Sequence, residues 1–217
     1  MESKALVKTL SRELVSPTLD VAQDYAELGL EELLDSPIVE HVPVIKTAIA
    51  LYKTGLAIRE RYFAKKLLVF LKEFHSGETQ NSDAQEFRVR LDRDESFRDR
   101  VVEHLLVMID RFVGVEKSNV LGLLFRAHVN GAFDWDAFVG ASMSLDMLQP
   151  DGFKVLHALA PFKGKEPTPD MEALLLGAGI ASRYGTAFRV SPVGQLLYQY
   201  GIGPYFAARI KARDKMD

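Results

Sequence analysis

The sequence predicts a mostly α-helical protein: a helical N-terminal domain over residues 1–133, then a winged-helix-like domain with one small β-hairpin and a C-terminal tail over 134–217. Three observations predict it. Apolar residues recur at spacings of three and four, as in Phe97, Val101, Val102, Leu105, Met108, Ile109 and Phe112. Cap and stop residues fall between these periodic stretches. Residues 168–200 then follow a distinctive order: a helix start at Thr168-Pro169, a Gly-bounded turn, two short strands about Tyr184-Gly185, and a new helix opened by Ser191-Pro192.

The elements read as follows. Residues 3–15 and 19–34 are short helices, the second stopped by Asp35-Ser36-Pro37. A longer helix starts near Pro43 and runs to Phe74, with Ile45, Ile49, Tyr52 and Leu56 on one face and a bend at Gly55. Phe63, Leu67, Phe70, Leu71 and Phe74 continue its stripe. Ser82-Asp83-Ala84-Gln85 reads as a capping box, with Ser82 as the cap of a helix carrying Phe87 and Leu91. Helices over 95–112 and 115–129 follow, the latter with Leu121, Leu124, Phe125 and His128. A boundary is placed near 131–134. Asp134 then caps 135–148, Pro150 opens a helix to Leu159, and a basic turn-rich loop spans 161–167. The chain closes with a helix over 168–177, a hairpin over 179–190 and a helix over 192–200.

The composition, with 47% hydrophobic and 26% charged residues over 217 positions, is that of an ordinary globular protein. A net charge of −3 gives no global attraction to nucleic acid or anionic lipid, so any such binding needs a local patch. Cysteine is absent, which removes disulfides and thiolate chemistry and is compatible with the cytoplasm. The N-terminal stretch lacks the apolar core of a signal peptide. Charge is uneven: residues 1–36 hold three Lys/Arg against eight Asp/Glu, whereas 43–75 hold seven against two. Acidic N-terminal helices lying near the basic long helix account for this most simply, and a releasable cover over a basic surface is the sharper alternative.

No catalytic or metal set is recognisable, so an enzyme is not expected, nor is a cofactor. The five histidines, His41, His75, His104, His128 and His157, are scattered, without the i, i+4 pairing of a zinc helix. The carboxylates of 92–95 and 134–136 stand where helices begin, where they satisfy free N–H groups. Ser142 lies in a helical pattern and lacks the second glycine of a nucleophile elbow.

For nucleic acid, the predicted leading helix of the wing unit carries Asp170 and Glu172 and no Lys or Arg. Cations around it are Lys163, Lys165, Arg183 and Arg189, a set able to hold a phosphate backbone only weakly. The tail interleaves Tyr198, Tyr200, Tyr205 and Phe206 with Arg209, Lys211, Arg213 and Lys215. A membrane surface could be engaged through this tail or through 37–75, although Gly201, Gly203 and Pro204 are expected to break any long amphipathic helix there.

Two blocks, 100–159 and 174–197, together resemble the Abi-alpha-like helical proteins of bacteria, a group linked to abortive infection and antiviral (phage) defence. The resemblance rests on Leu121 through Ala127, on the turn Leu148-Gln149-Pro150 with Val155 and Leu156, and on Phe188, Val190, Ser191, Val193 and Gly194. The chain departs from the pattern at Arg126 and His128, and Gly152 stands where the pattern has an acid. The resemblance implies a non-enzymatic role in defence and carries no catalytic residues. The expected function is thus an interaction or effector protein with a protein partner; a DNA-binding regulator and a membrane-acting effector are the alternatives.

Overall fold

The structure, a computed structural model, describes residues 2–15, 42–51, 57–77, 81–160 and 166–213. Over these it is mostly helical, with one two-stranded antiparallel hairpin. The elements are α1 (Glu2–Val15), α2 (Pro43–Leu51), α3 (Ala57–His75), α4 (Ser82–Arg93), α5 (Glu95–Arg111), α6 (Val115–Val129), α7 (Trp135–Met147), α8 (Pro150–Leu159) and α9 (Pro169–Gly177). Strands β1 (Ala181–Tyr184) and β2 (Ala187–Val190) follow, then α10 (Pro192–Leu197), a π-helical turn (Tyr198–Ile202) and α11 (Gly203–Arg213). The helix expected over 19–34 lies outside the described residues, as do Tyr52 to Leu56 between α2 and α3.

The chain divides into two compact units, Met1–Gly122 with Val129–Gly131, and Leu123–His128 with Ala132–Asp217. Residues 123–128 of α6 belong to the second unit, ahead of the boundary read at 131–134. The reason is aromatic packing: Phe125 lies 5.4 Å from Phe138, and His128 lies 5.6 Å from Trp135 and 5.7 Å from Phe138, between ring centroids.

In the first unit α1 packs on α2, α4 and α5, while α3 packs on α2 and α5. Leu10, Leu14, Leu67, Phe70, Leu71, Phe74, Val101, Leu105 and Ile109 form its core, following the predicted stripes of α3 and α5. On α2 the buried residues are Val44, Ile45 and Ala48, and Ile49 is only half-buried, so the stripe expected through Ile49 is rotated by one position. The capping box is also displaced. Asn81, not Ser82, caps α4: its side chain accepts from Ala84 N at 2.8 Å and donates to Asn130 O at 3.0 Å. Ser82 is the first helical residue, and the Asn81 amide satisfies two backbone groups, one in the first turn of α4 and one at Asn130. Asp94 both ends α4 and caps α5, accepting from Phe97 N at 3.0 Å.

Lys66, one of the seven cations of 43–75, is not part of a solvated basic face. It is 3% exposed, and its ammonium donates to the carbonyls of Asp110 and Phe112, each at 2.8 Å. A cation thus satisfies the last carbonyls of α5 at the negative end of its dipole. Gly122 lets α6 approach α3 closely: a Cβ there would come within 2.6 Å of the Phe70 carbonyl oxygen. His75, at the end of α3, has its ring 4.7 Å from Phe74 and its Nε2 buried without a partner among the described residues. Burial pushes its pKa down to about 4, against an opposing hydrogen bond to the Glu13 backbone.

In the second unit α10 packs on α7, and the π-helical turn packs on α8, α10 and α11. Phe138, Leu145, Leu148, Leu156, Leu175, Ile180, Leu197 and Ile202 are buried together with them. Asp134 caps α7 as expected, accepting from Ala137 N at 2.8 Å. α9 ends in a left-handed turn at Gly179 (φ 69°), where Gly179 N donates to Leu176 O and Ile180 N to Leu175 O. The tail differs from expectation. Gly201, Gly203 and Pro204 do not end the helix; it continues from α10 through the π-helical turn into α11. Pro204 falls in the first turn after the change of register, where its missing N–H leaves no gap.

Two stability outcomes follow from the first unit. Gly122→Ala is expected to cost about 1–3 kcal/mol in urea denaturation, through the forced separation of α3 and α6. A histidine held neutral in the fold stabilises it fully above its unfolded pKa of about 6.5 and loses that contribution as pH falls towards 4. His75→Gln is therefore expected to flatten stability between pH 7 and 4, a range over which the parent loses about 1–3 kcal/mol more than the variant.

Candidate functional site

The site begins with the hairpin's register. Ala181 pairs with Val190, Ser182 with Arg189, Arg183 with Phe188 and Tyr184 with Ala187, and Gly185 (φ 63°) makes the turn. Side chains alternate along a strand, so Ser182, Tyr184 and Arg189 share one face, and Arg183 and Phe188 the other. The two hairpin arginines therefore point to opposite sides.

Arg183 meets α9. Its Nε donates to Glu172 Oε1 in a very short contact, its second terminal nitrogen donates to Glu172 Oε2 at 2.6 Å, and its first to Thr186 O at 3.0 Å. The guanidinium is thus held in a bidentate fork by the carboxylate and pinned to the hairpin turn. Glu172 is nearly buried, and the hydrogen bonds and charge of Arg183 hold its carboxyl below the usual carboxylate range. Asp170, in the same first turn of α9, is exposed. On the outer face Arg189 lies over the Tyr184 ring, 5.9 Å from its centroid, and Tyr184 is 68% exposed. Of the four cations singled out in the sequence, Arg183 and Arg189 are thereby placed, and Lys163 and Lys165 lie outside the described residues.

Each unit also carries a groove among its described residues. In the first unit, one of about 490 Å³ runs between α1 and α5. Lys4, Lys8 and Arg12 line one wall, and Glu95, Asp99 and Glu103 the other, each set at successive i, i+4 positions. In the second unit, one of about 650 Å³ is bounded by α8, α10, the π-helical turn and α11. There the Tyr198 hydroxyl is hydrogen-bonded to His157 Nδ1 at 3.2 Å, and the His157 ring stacks on Phe206 at 4.4 Å.

Among the described residues no group of three or more His, Cys, Asp or Glu side chains is placed to hold a metal ion, and no helix is long and apolar enough to cross a membrane. His128 packs as its apolar surroundings suggest: its Nδ1 lies 2.9 Å from Phe133 O, and burial pushes its pKa down. The Glu172–Arg183 fork escapes sequence reasoning because its partners are eleven residues apart on different elements; only a helix acid followed by an inward-facing strand cation hints at it. No protein-family model, curated protein or solved structure matches the chain.

A depressed carboxylate pKa stabilises the fold above the unfolded value of about 4.3 and loses that contribution as pH falls through the folded value. Glu172→Gln is accordingly expected to lower the melting temperature at neutral pH and to leave a smaller difference from the parent below the folded pKa, as followed by circular dichroism.

Proposed function

We propose that the chain is a non-enzymatic interaction protein whose second unit is a winged-helix-like module directed at protein rather than at DNA. The observation that supports this reading is the fork between Arg183 and Glu172. A winged helix that grips DNA needs cations on the wing and at the start of its leading helix. Here one of the wing's two arginines is already neutralised by that helix, and the helix keeps Asp170 exposed in its first turn. The outer hairpin face offers Tyr184 and Arg189, residue types enriched at the energetic centres of protein interfaces. The resemblance to abortive-infection proteins supports antiviral defence as the setting of such contacts.

Duplex DNA binding followed in a salt titration is expected to be weaker than about 10⁻⁴ M at physiological salt. Tight binding with a steep salt dependence would replace this reading with that of a DNA-binding regulator. For the defence role, cells expressing the protein are expected to show reduced phage plating or slowed growth; unchanged plating and growth would remove it.

A further inference from the structure

We infer that the groove between α1 and α5 is a self-complementary surface through which two copies of the chain associate about a two-fold axis lying along the groove. The surface belongs to the first unit and involves none of the hairpin residues. Its walls carry opposite charge. Lys4, Lys8 and Arg12 stand about 6 Å apart along α1, four residues at a rise of about 1.5 Å, and Glu95, Asp99 and Glu103 have the same spacing along α5. The two rows do not neutralise one another across the groove. Lys4, Lys8, Arg12, Glu95 and Glu103 form no ion pair among the described residues, and Asp99 is paired only loosely, at 4.0 Å, with its neighbour Arg98. Arg98 itself is turned back onto its own helix end, where a terminal nitrogen donates to Asp92 O at 3.2 Å.

The register of the rows selects a second copy as the occupant. A smaller cavity of about 150 Å³ joins Arg12 and Val15 to Leu91, Asp92 and Arg98, so the end of α1 lies at the start of α5 and the two helices run antiparallel. Along the groove the order is therefore Arg12, Lys8, Lys4 on one wall and Glu95, Asp99, Glu103 on the other. A two-fold rotation about the long axis of the groove exchanges the walls and keeps that order. It sets Arg12 of each copy against Glu95 of the other, Lys8 against Asp99, and Lys4 against Glu103. Rotation about the in-plane axis across the groove would set cation on cation and acid on acid, so charge permits one mode of self-association and opposes the other. Val107, the next i, i+4 position after Glu103, is 56% exposed and extends the patch with an apolar side chain. A foreign partner would need a row of each sign at the same spacing, which the chain itself already carries. Two helices side by side offer a face only about 20 Å square, so the dimer is weak, exchanging and salt-sensitive.

The test is sedimentation equilibrium of the full chain. A monomer–dimer equilibrium at about 50 mM salt, weakened about tenfold or more at about 500 mM, is the expected result. Lys4→Glu/Lys8→Glu/Arg12→Glu makes both rows acidic, and Glu95→Lys/Asp99→Lys/Glu103→Lys makes both basic. Each variant alone should be monomeric where the parent dimerises, and the two mixed in equal amounts should form a heterodimer, a recovery that only folded chains can give. Should a triple variant not fold, the central reversals Lys8→Glu and Asp99→Lys supply the same cycle: each weakens the dimer and mixing restores it. Tyr184→Ala/Arg189→Glu in the hairpin should leave the dimer unchanged, which separates this surface from the proposed hairpin contact. A parent that is monomeric at low salt up to about 1 mM protein would overturn the inference. So would association indifferent to salt, reversals that dimerise as the parent does, folded reversals that stay monomeric on mixing, or a dimer that the hairpin variant abolishes.

Discussion

A guanidinium held in a fork by one carboxylate is a poor partner for a second anion. Arg183 is in that position. Glu172 accepts from two of its nitrogens, and Thr186 O accepts from a third. The fork ties the first turn of α9 to the hairpin, and fixes which hairpin face looks inward. Arg189 and Tyr184 are left on the outer face as a consequence of strand alternation. Removing Arg183 alone would leave a nearly buried carboxylate without its cation, a costlier state than replacing both residues together. The arrangement therefore joins local architecture and surface chemistry in one interaction.

The first unit solves a related problem with the opposite geometry. A helix end exposes carbonyls that need donors, and Lys66 reaches across from α3 to supply them at the end of α5. Asp94 serves α4 and α5 at once, and Asn81 ties the start of α4 to Asn130. Polar side chains at helix ends thus set how the helices follow one another, while the apolar stripes between them provide most of the driving force.

Much of the helical architecture was legible in the sequence because its signals are local. Proline at the first turn, Asp134 and Thr168 at caps, and the period of Phe97 to Phe112 each act within a few residues. The misreadings have local causes too. Ser82 resembles a cap, but the residue before it is a better one. Gly201 to Pro204 resemble a stop, but a single widened turn absorbs them. What the sequence could not supply were pairings across elements: Lys66 with the end of α5, Glu172 with Arg183, Tyr198 with His157. Charge counting along the chain treats such residues as surface, whereas burial and geometry assign them to the interior or to each other.

The most direct measurement of the central claim is nitrogen-detected NMR of the Arg183 side chain at neutral pH. The account predicts an exchange-protected Nε–H with hindered guanidinium rotation, lost in Glu172→Gln and unmoved by duplex DNA. An Arg183 signal that exchanges like that of a free arginine, and shifts when DNA is added, would contradict it.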